Sequence, residues 1–105
     1  MTRDTMRGAT PPLSARLRVP QHVVYRSFPS ETVMLNLQTG RYHGLNATAG
    51  SMLEALEQTG NLRAAARAVA ERHGQPQDLV ERDLGSLCEA LLERELLELD
   101  DDATP

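Results

Sequence analysis

The chain has no tryptophan, one phenylalanine and two tyrosines, so aromatics make up only 3% of its 105 residues. Any core must therefore be aliphatic, built from Leu, Val, Ala and Met. Cys88 is the one cysteine, which excludes an internal disulfide framework and suits a reducing compartment. No apolar run approaches the roughly 18 residues of a membrane span. Arg3 and Arg7 near the N-terminus are not followed by the apolar stretch of a signal peptide. The expected location is cytoplasmic, with no membrane partner. Positive charge is also short: 11 Lys and Arg stand against 15 Asp and Glu, a formal net charge of −4. That balance argues against a phosphate-binding surface.

Catalytic chemistry is equally sparse. His22, His43 and His73 have no histidine, cysteine or carboxylate partner in a metal-ligand pattern. Each reads as a surface or turn histidine, and His43 is kept in view because it falls on a central hairpin. Cys88 lies within an apolar helical stripe and reads as a small buried hydrophobe. No glycine-rich phosphate loop occurs in a strand–loop–helix context. The expectation is a protein without enzymatic activity, cofactor or metal.

What the chain does contain is an organising stretch over residues 32–54. Val33, Leu35 and Leu37 alternate with Thr32, Met34 and Asn36, the period-2 pattern of a strand with one buried face. Gly40 suits the hairpin turn, residues 41–45 form the returning strand, and Asn46 or Thr48 can cap a helix. A preceding strand is expected over residues 22–27. Helices are expected over residues 47–58, over residues 62–72 behind Asn61, and from Pro76 onward. In the last of these, Leu79, Val80, Leu84, Leu87, Cys88, Leu91 and Leu92 form a broad apolar stripe. Residues 96–99 either extend that helix or form a short closing strand. The fold class is α+β and winged-helix-like: a three-stranded antiparallel sheet followed by three helices. Residues 1–19 read as a flexible N-terminal tail, 20–99 as the domain, and 100–105 as an acidic C-terminal tail. Gly85, inside the third helix, costs about 1 kcal/mol against alanine. It is either tolerated, the favoured reading, or marks a close approach.

A helix–turn–helix across Gly74 invites a DNA-binding reading. However, the third helix carries Asp78, Glu81, Asp83, Glu89, Glu93 and Glu95 against Arg82 and Arg94, and such a helix does not approach phosphates readily. Alternatively, a meander leaves sheet edges to which an extended peptide, or a second copy of the chain, can add as a strand. The pattern by itself leaves these alternatives open.

The run over residues 33–48, Val-Met-Leu-Asn-Leu-Gln-Thr-Gly-Arg-Tyr-His-Gly-Leu-Asn-Ala-Thr, resembles the leu-asp-x-x-x-gly-x-tyr-x-x-leu-asn-x-thr signature of the PqqD-like family. Residues 64–74, 80–84 and 91–97 fit the same resemblance in order. It implies a winged-helix-like recognition element for ribosomally made, post-translationally modified peptides. Such an element binds a precursor's leader as an added strand between the third strand and the third helix. It then presents the leader to a modifying enzyme, whether a radical enzyme, a protease or a cyclase, in pyrroloquinoline quinone, lasso peptide or related pathways. Carried over by position, the contact strand is Gly40, Arg41, Tyr42, His43, Gly44 and Leu45. The helix face is Leu79, Arg82, Asp83, Ser86, Leu87 and Ala90. The chain departs from the pattern at Asn36, where an aspartate is usual, and at His43-Gly44, which replaces bulkier residues. The rival readings are a winged-helix DNA-binding regulator and a self-associating module that forms a homodimer edge to edge.

Overall fold

The computed structural model describes residues 10–100. The fold is α+β. Strands β1 (Leu17–Arg18), β2 (Val23–Ser27), β3 (Glu31–Asn36) and β4 (Tyr42–Asn46) precede helices α1 (Ala47–Thr59), α2 (Leu62–His73) and α3 (Gln77–Glu93), and β5 (Glu98–Leu99) closes the chain. Strands β2, β3 and β4 form an antiparallel meander in that order, and β1 pairs with β5 in a separate antiparallel ribbon.

Local chemistry sets the helix boundaries. Asn46 Oδ1 accepts the Ala49 N–H at 2.8 Å and Asn61 Oδ1 accepts the Ala64 N–H at 3.0 Å, each satisfying a donor the first helical turn leaves unpaired. Gly60 ends α1 in the left-handed region (φ 70°), where its N–H reaches the Leu56 carbonyl. Pro76 stands one residue before α3 and supplies no side-chain cap.

The core is aliphatic, as the composition requires. Met34 and Leu45 from the sheet, Leu53 and Leu56 from α1, Leu62 and Val69 from α2, and Val80, Leu84, Cys88 and Leu91 from α3 are all buried. Burial pushes the Cys88 thiol up to about 12, and the side chain packs as a small hydrophobe in the core. Tyr25 on β2 donates its hydroxyl to Glu57 of α1, and burial with this bond keeps its phenol protonated above the ordinary range.

The sheet buries Thr32, Met34 and Asn36, not the more apolar set. Val33 and Leu35 are half-buried on the opposite face, and Leu37 is 57% exposed. The polar members tolerate burial because each is bonded: Thr32 Oγ1 lies 2.9 Å from Ser27 Oγ, and Asn36 Oδ1 accepts the N–H groups of Gln38 and Thr39 at 2.9 and 3.2 Å. Asn36 thereby builds the hairpin turn, a role open to the aspartate that the resembled signature has at this position. Replacing it with alanine should cost about 2 kcal/mol, since two turn donors lose their acceptor. Chemical denaturation against the wild type measures that loss.

The packed unit begins earlier than residue 20. Pro11 and Leu17 are buried, the Leu62 and Arg63 N–H groups donate to the carbonyls of Ala15 and Leu13, and the Leu17 N–H donates to that of Gly60. Residues 10–19 are thus held against the helices, while residues 1–9 lie outside the described part. Gly85 is the place where this segment crosses α3: a Cβ there would lie 2.8 Å from Thr10 Cγ2, and Thr10 Oγ1 donates to Glu89 at 3.2 Å. The segment thus passes close over Gly85, and the atom nearest a would-be Cβ is the methyl tip of the exposed Thr10 side chain. At the other end, Arg18 binds Glu98 at 2.6 Å and Asp100 at 3.3 Å, so the described start of the acidic tail is anchored to the ribbon.

Candidate functional site

Strand β4 is a sheet edge, and the register shows which of its backbone groups face outward. The Leu37 N–H donates to the His22 carbonyl and the Phe28 N–H to the Glu31 carbonyl, so the odd-numbered residues of β3 bond toward β2. The Asn36 N–H donates to the Arg41 carbonyl at 2.9 Å, so the even-numbered residues bond toward β4. Antiparallel alternation then makes Met34–His43 and Thr32–Leu45 the bonded pairs. Tyr42 and Gly44 are left with N–H and C=O groups pointing away from the sheet, where no described strand pairs with them. Two consecutive outward residues of this kind are the docking groups for an added strand.

Side chains alternate about the same edge. Tyr42 is 73% exposed on the outer sheet face, opposite Leu35. His43 points inward and is half-buried, and Leu45 is 6% exposed within the core. Leu45 is therefore spent on packing. Gly44 has no neighbour nearer to a would-be Cβ than Glu31 Oε1 at 3.9 Å, which leaves the strand accessible. Gly40 forms the exposed hairpin turn.

On α3, Arg82, Asp83, Ser86 and Ala90 are exposed, Leu79 is 40% exposed, and Leu87 is half-buried. Their i, i+3, i+4, i+7, i+8, i+11 spacing puts all six on one face. Leu79 belongs to this face, not to the core stripe in which its spacing first places it.

The last turn of α3 and the hairpin flank an open cavity of about 610 Å³. Arg41, Tyr42 and His43 line it from the hairpin, and Glu93, Arg94, Glu95 and Leu96 line it from the helix end. The six predicted helix residues do not line this cavity. Residues 93–96, which line it from the helix end, are not among the residues the resemblance singles out, and the sequence leaves open whether the helix continues past them. The signal was nonetheless present: Arg94 follows Ala90 by four residues. Glu95 adopts φ 60°, a left-handed turn rare for a side-chain-bearing residue, and its carbonyl lies 3.3 Å from His22 Nε2. This turn sends Leu96 and Leu97 back into the core, each 3% exposed.

Burial, and then the charge of Arg94, hold the His43 pKa below the ordinary histidine value. The unfolded chain therefore takes up this proton first as pH drops. Stability should fall as pH falls below about 6.5 and be insensitive to His43 above it. Thermal unfolding at stepped pH, compared with His43→Asn, isolates that increment, which the variant should lack.

Among the described residues no group of three His, Cys, Asp or Glu side chains is arranged to hold a metal, and no helix is long and apolar enough to cross a membrane.

Comparison with known proteins bears on this geometry. The family described as coenzyme PQQ synthesis protein D (PqqD) matches residues 31–97, well over half of the chain. The solved structure of TbiB1 in complex with the TbiA(beta) leader peptide is similar, with 33% sequence identity and a TM-score of 0.70. That match covers 77% of this chain and 94% of TbiB1. A lasso peptide synthetase B1 complexed with the leader peptide shares the fold, with 21% identity, a TM-score of 0.70, and coverage of 80% of this chain and 99% of the other. No curated protein sequence matches the chain.

Proposed function

The chain belongs to the PqqD family, and from that premise we propose that it captures the leader segment of a ribosomally made precursor peptide as a strand added to β4. The observation that carries this reading is the outward pair Tyr42 and Gly44, unpaired on an accessible edge beside the last turn of α3. The likeness to TbiB1, a protein solved with a leader peptide bound, supports it.

In this reading the chain is a non-catalytic adaptor. Backbone bonds along residues 40–45 supply affinity without regard to sequence. Specificity comes from the helix face of Leu79, Arg82, Asp83, Ser86, Leu87 and Ala90. Leu79 offers an apolar seat, while Arg82 and Asp83 offer charges of both signs. The bound leader is then held for a separate modifying enzyme.

Backbone amide NMR during titration with the TbiA(beta) leader peptide, or with the leader of a precursor encoded beside this chain, tests the proposal. The largest shifts are expected at residues 41–45 and 79–90. Shifts confined to the ribbon of β1 and β5, or to α2, would sink it.

A further inference from the structure

We propose that the cavity between the hairpin and the end of α3 is a subsite for a carboxylate side chain of the bound peptide, received by Arg41 and Arg94 beside His43. The inference rests on strand addition to β4 and adds the chemical class of one peptide residue to it.

Three observations carry it. First, Arg41 and Arg94 line the cavity from opposite walls, one on the hairpin and one at the helix end. Among the described residues neither guanidinium has an ion-pair or hydrogen-bond partner. Two arginines that line one cleft with unpaired guanidinium groups can receive an anion, since each guanidinium offers a fork that fits a carboxylate.

Second, Arg94 lies close enough to His43 to disfavour the protonated imidazole, so its charge reaches across the cavity to the edge strand. Glu93 and Glu95 line the helix side, yet neither pairs with Arg41 or Arg94 and neither raises the His43 pKa. A carboxylate between Arg94 and His43 would complement the guanidinium and relieve its repulsion of the imidazolium.

Third, the register selects the peptide position. Residues directly opposite one another on adjacent strands share a face. The inner face of β4 at the cavity is the His43 face, because Tyr42 points to the outer side. The peptide residue opposite His43 therefore sends its side chain into the cavity, and its neighbours point outward beside Tyr42 and Gly44.

A random-peptide display library selected on the whole protein tests this. Binders are retained if they bind the wild type and fail on Gly44→Pro, a substitution that blocks the edge. Gly44→Ala is carried alongside to separate blocking from misfolding. The expected result is that edge-dependent binders share an Asp or Glu at one position. Its replacement by Asn or Gln should weaken binding to the wild type about tenfold, as expected for loss of a charged hydrogen-bond partner. On the Arg41→Gln/Arg94→Gln variant the same replacement should change little, because the carboxylate then has no receptor. Edge-dependent binders with an aromatic or aliphatic residue at that position would overturn the carboxylate subsite and leave strand addition standing. An acid-to-amide effect undiminished in the double variant would likewise overturn it. If no binder depends on the edge, strand addition fails and the subsite fails with it.

Discussion

Gly44→Pro should abolish leader binding while leaving the domain folded. The Gly44 N–H points away from β3, so proline at this position removes no bond from the β3–β4 ladder. Its ring instead projects toward the incoming strand, removes one donor and leaves a peptide carbonyl unpaired. Together these effects should cost about 2 kcal/mol or more, a weakening of at least about thirtyfold. The fold should lose about 1 kcal/mol, as is usual for a surface substitution that restricts the backbone. Gly44→Ala supplies the contrast: it keeps the N–H, and its Cβ would meet nothing nearer than Glu31 Oε1 at 3.9 Å. Its binding should be nearly unchanged. Calorimetric titration with leader peptide, beside thermal melts of both variants, separates the outcomes. A proline variant that binds normally would rule out this edge as the docking strand.

Gly50→Ala should be the most destabilising single-methyl addition in the described chain. Gly50 lies in the first turns of α1 with Thr32 of β3 directly beneath it: an added Cβ would overlap Thr32 Oγ1 and lie 3.0 Å from Thr32 Cβ. Thr32 is 3% exposed and its hydroxyl is bonded to Ser27, so it cannot rotate away without losing that bond. The helix must lift off the sheet, and overpacking of this kind costs about 3 kcal/mol, more than the roughly 1 kcal/mol that alanine gains over glycine within a helix. Thr32→Ala removes the overlapping hydroxyl, so the double variant should be more stable than the sum of the two single losses predicts. Gly85→Ala tests the same logic with the opposite outcome. Its added Cβ meets only the Thr10 methyl, the tip of an exposed side chain that can move, so the propensity gain should offset the contact and leave stability close to wild type. Denaturant unfolding of the four variants decides the matter. Equal losses at positions 50 and 85 would refute this account of the α1–β3 contact.

Much of this fold was legible residue by residue, because its punctuation is local. Asn46 and Asn61 sit where a side-chain oxygen can reach an N–H three residues on, and Gly60 and Gly74 occupy left-handed positions just past the ends of α1 and α2. Those contacts span three or four residues, so the sequence alone placed three strands and three helices to within a residue or two at most boundaries. The scarcity of aromatics likewise determined an aliphatic core before any packing was known. The signature around residues 33–48 pointed to a family that the match over residues 31–97 bears out.

What the sequence could not decide depends on partners far along the chain. Both alternating sets of β3 include residues able to face a core; the choice of Thr32, Met34 and Asn36 followed from Ser27 and the turn amides satisfying the polar pair. Whether residues 96–99 prolonged the helix or closed the fold was decided by Leu17 and Arg18, some eighty residues away, which pair with them as a ribbon. The atom that comes closest to Gly85 belongs to Thr10, and the cavity that joins Arg41 and His43 to Arg94 exists only once the hairpin meets the end of α3. Caps and turns are set by bonds within one or two helical turns, where the chain's own geometry leaves few choices. Faces, edges and cavities are set by which distant surfaces exclude water from one another, and only the tertiary structure decides that.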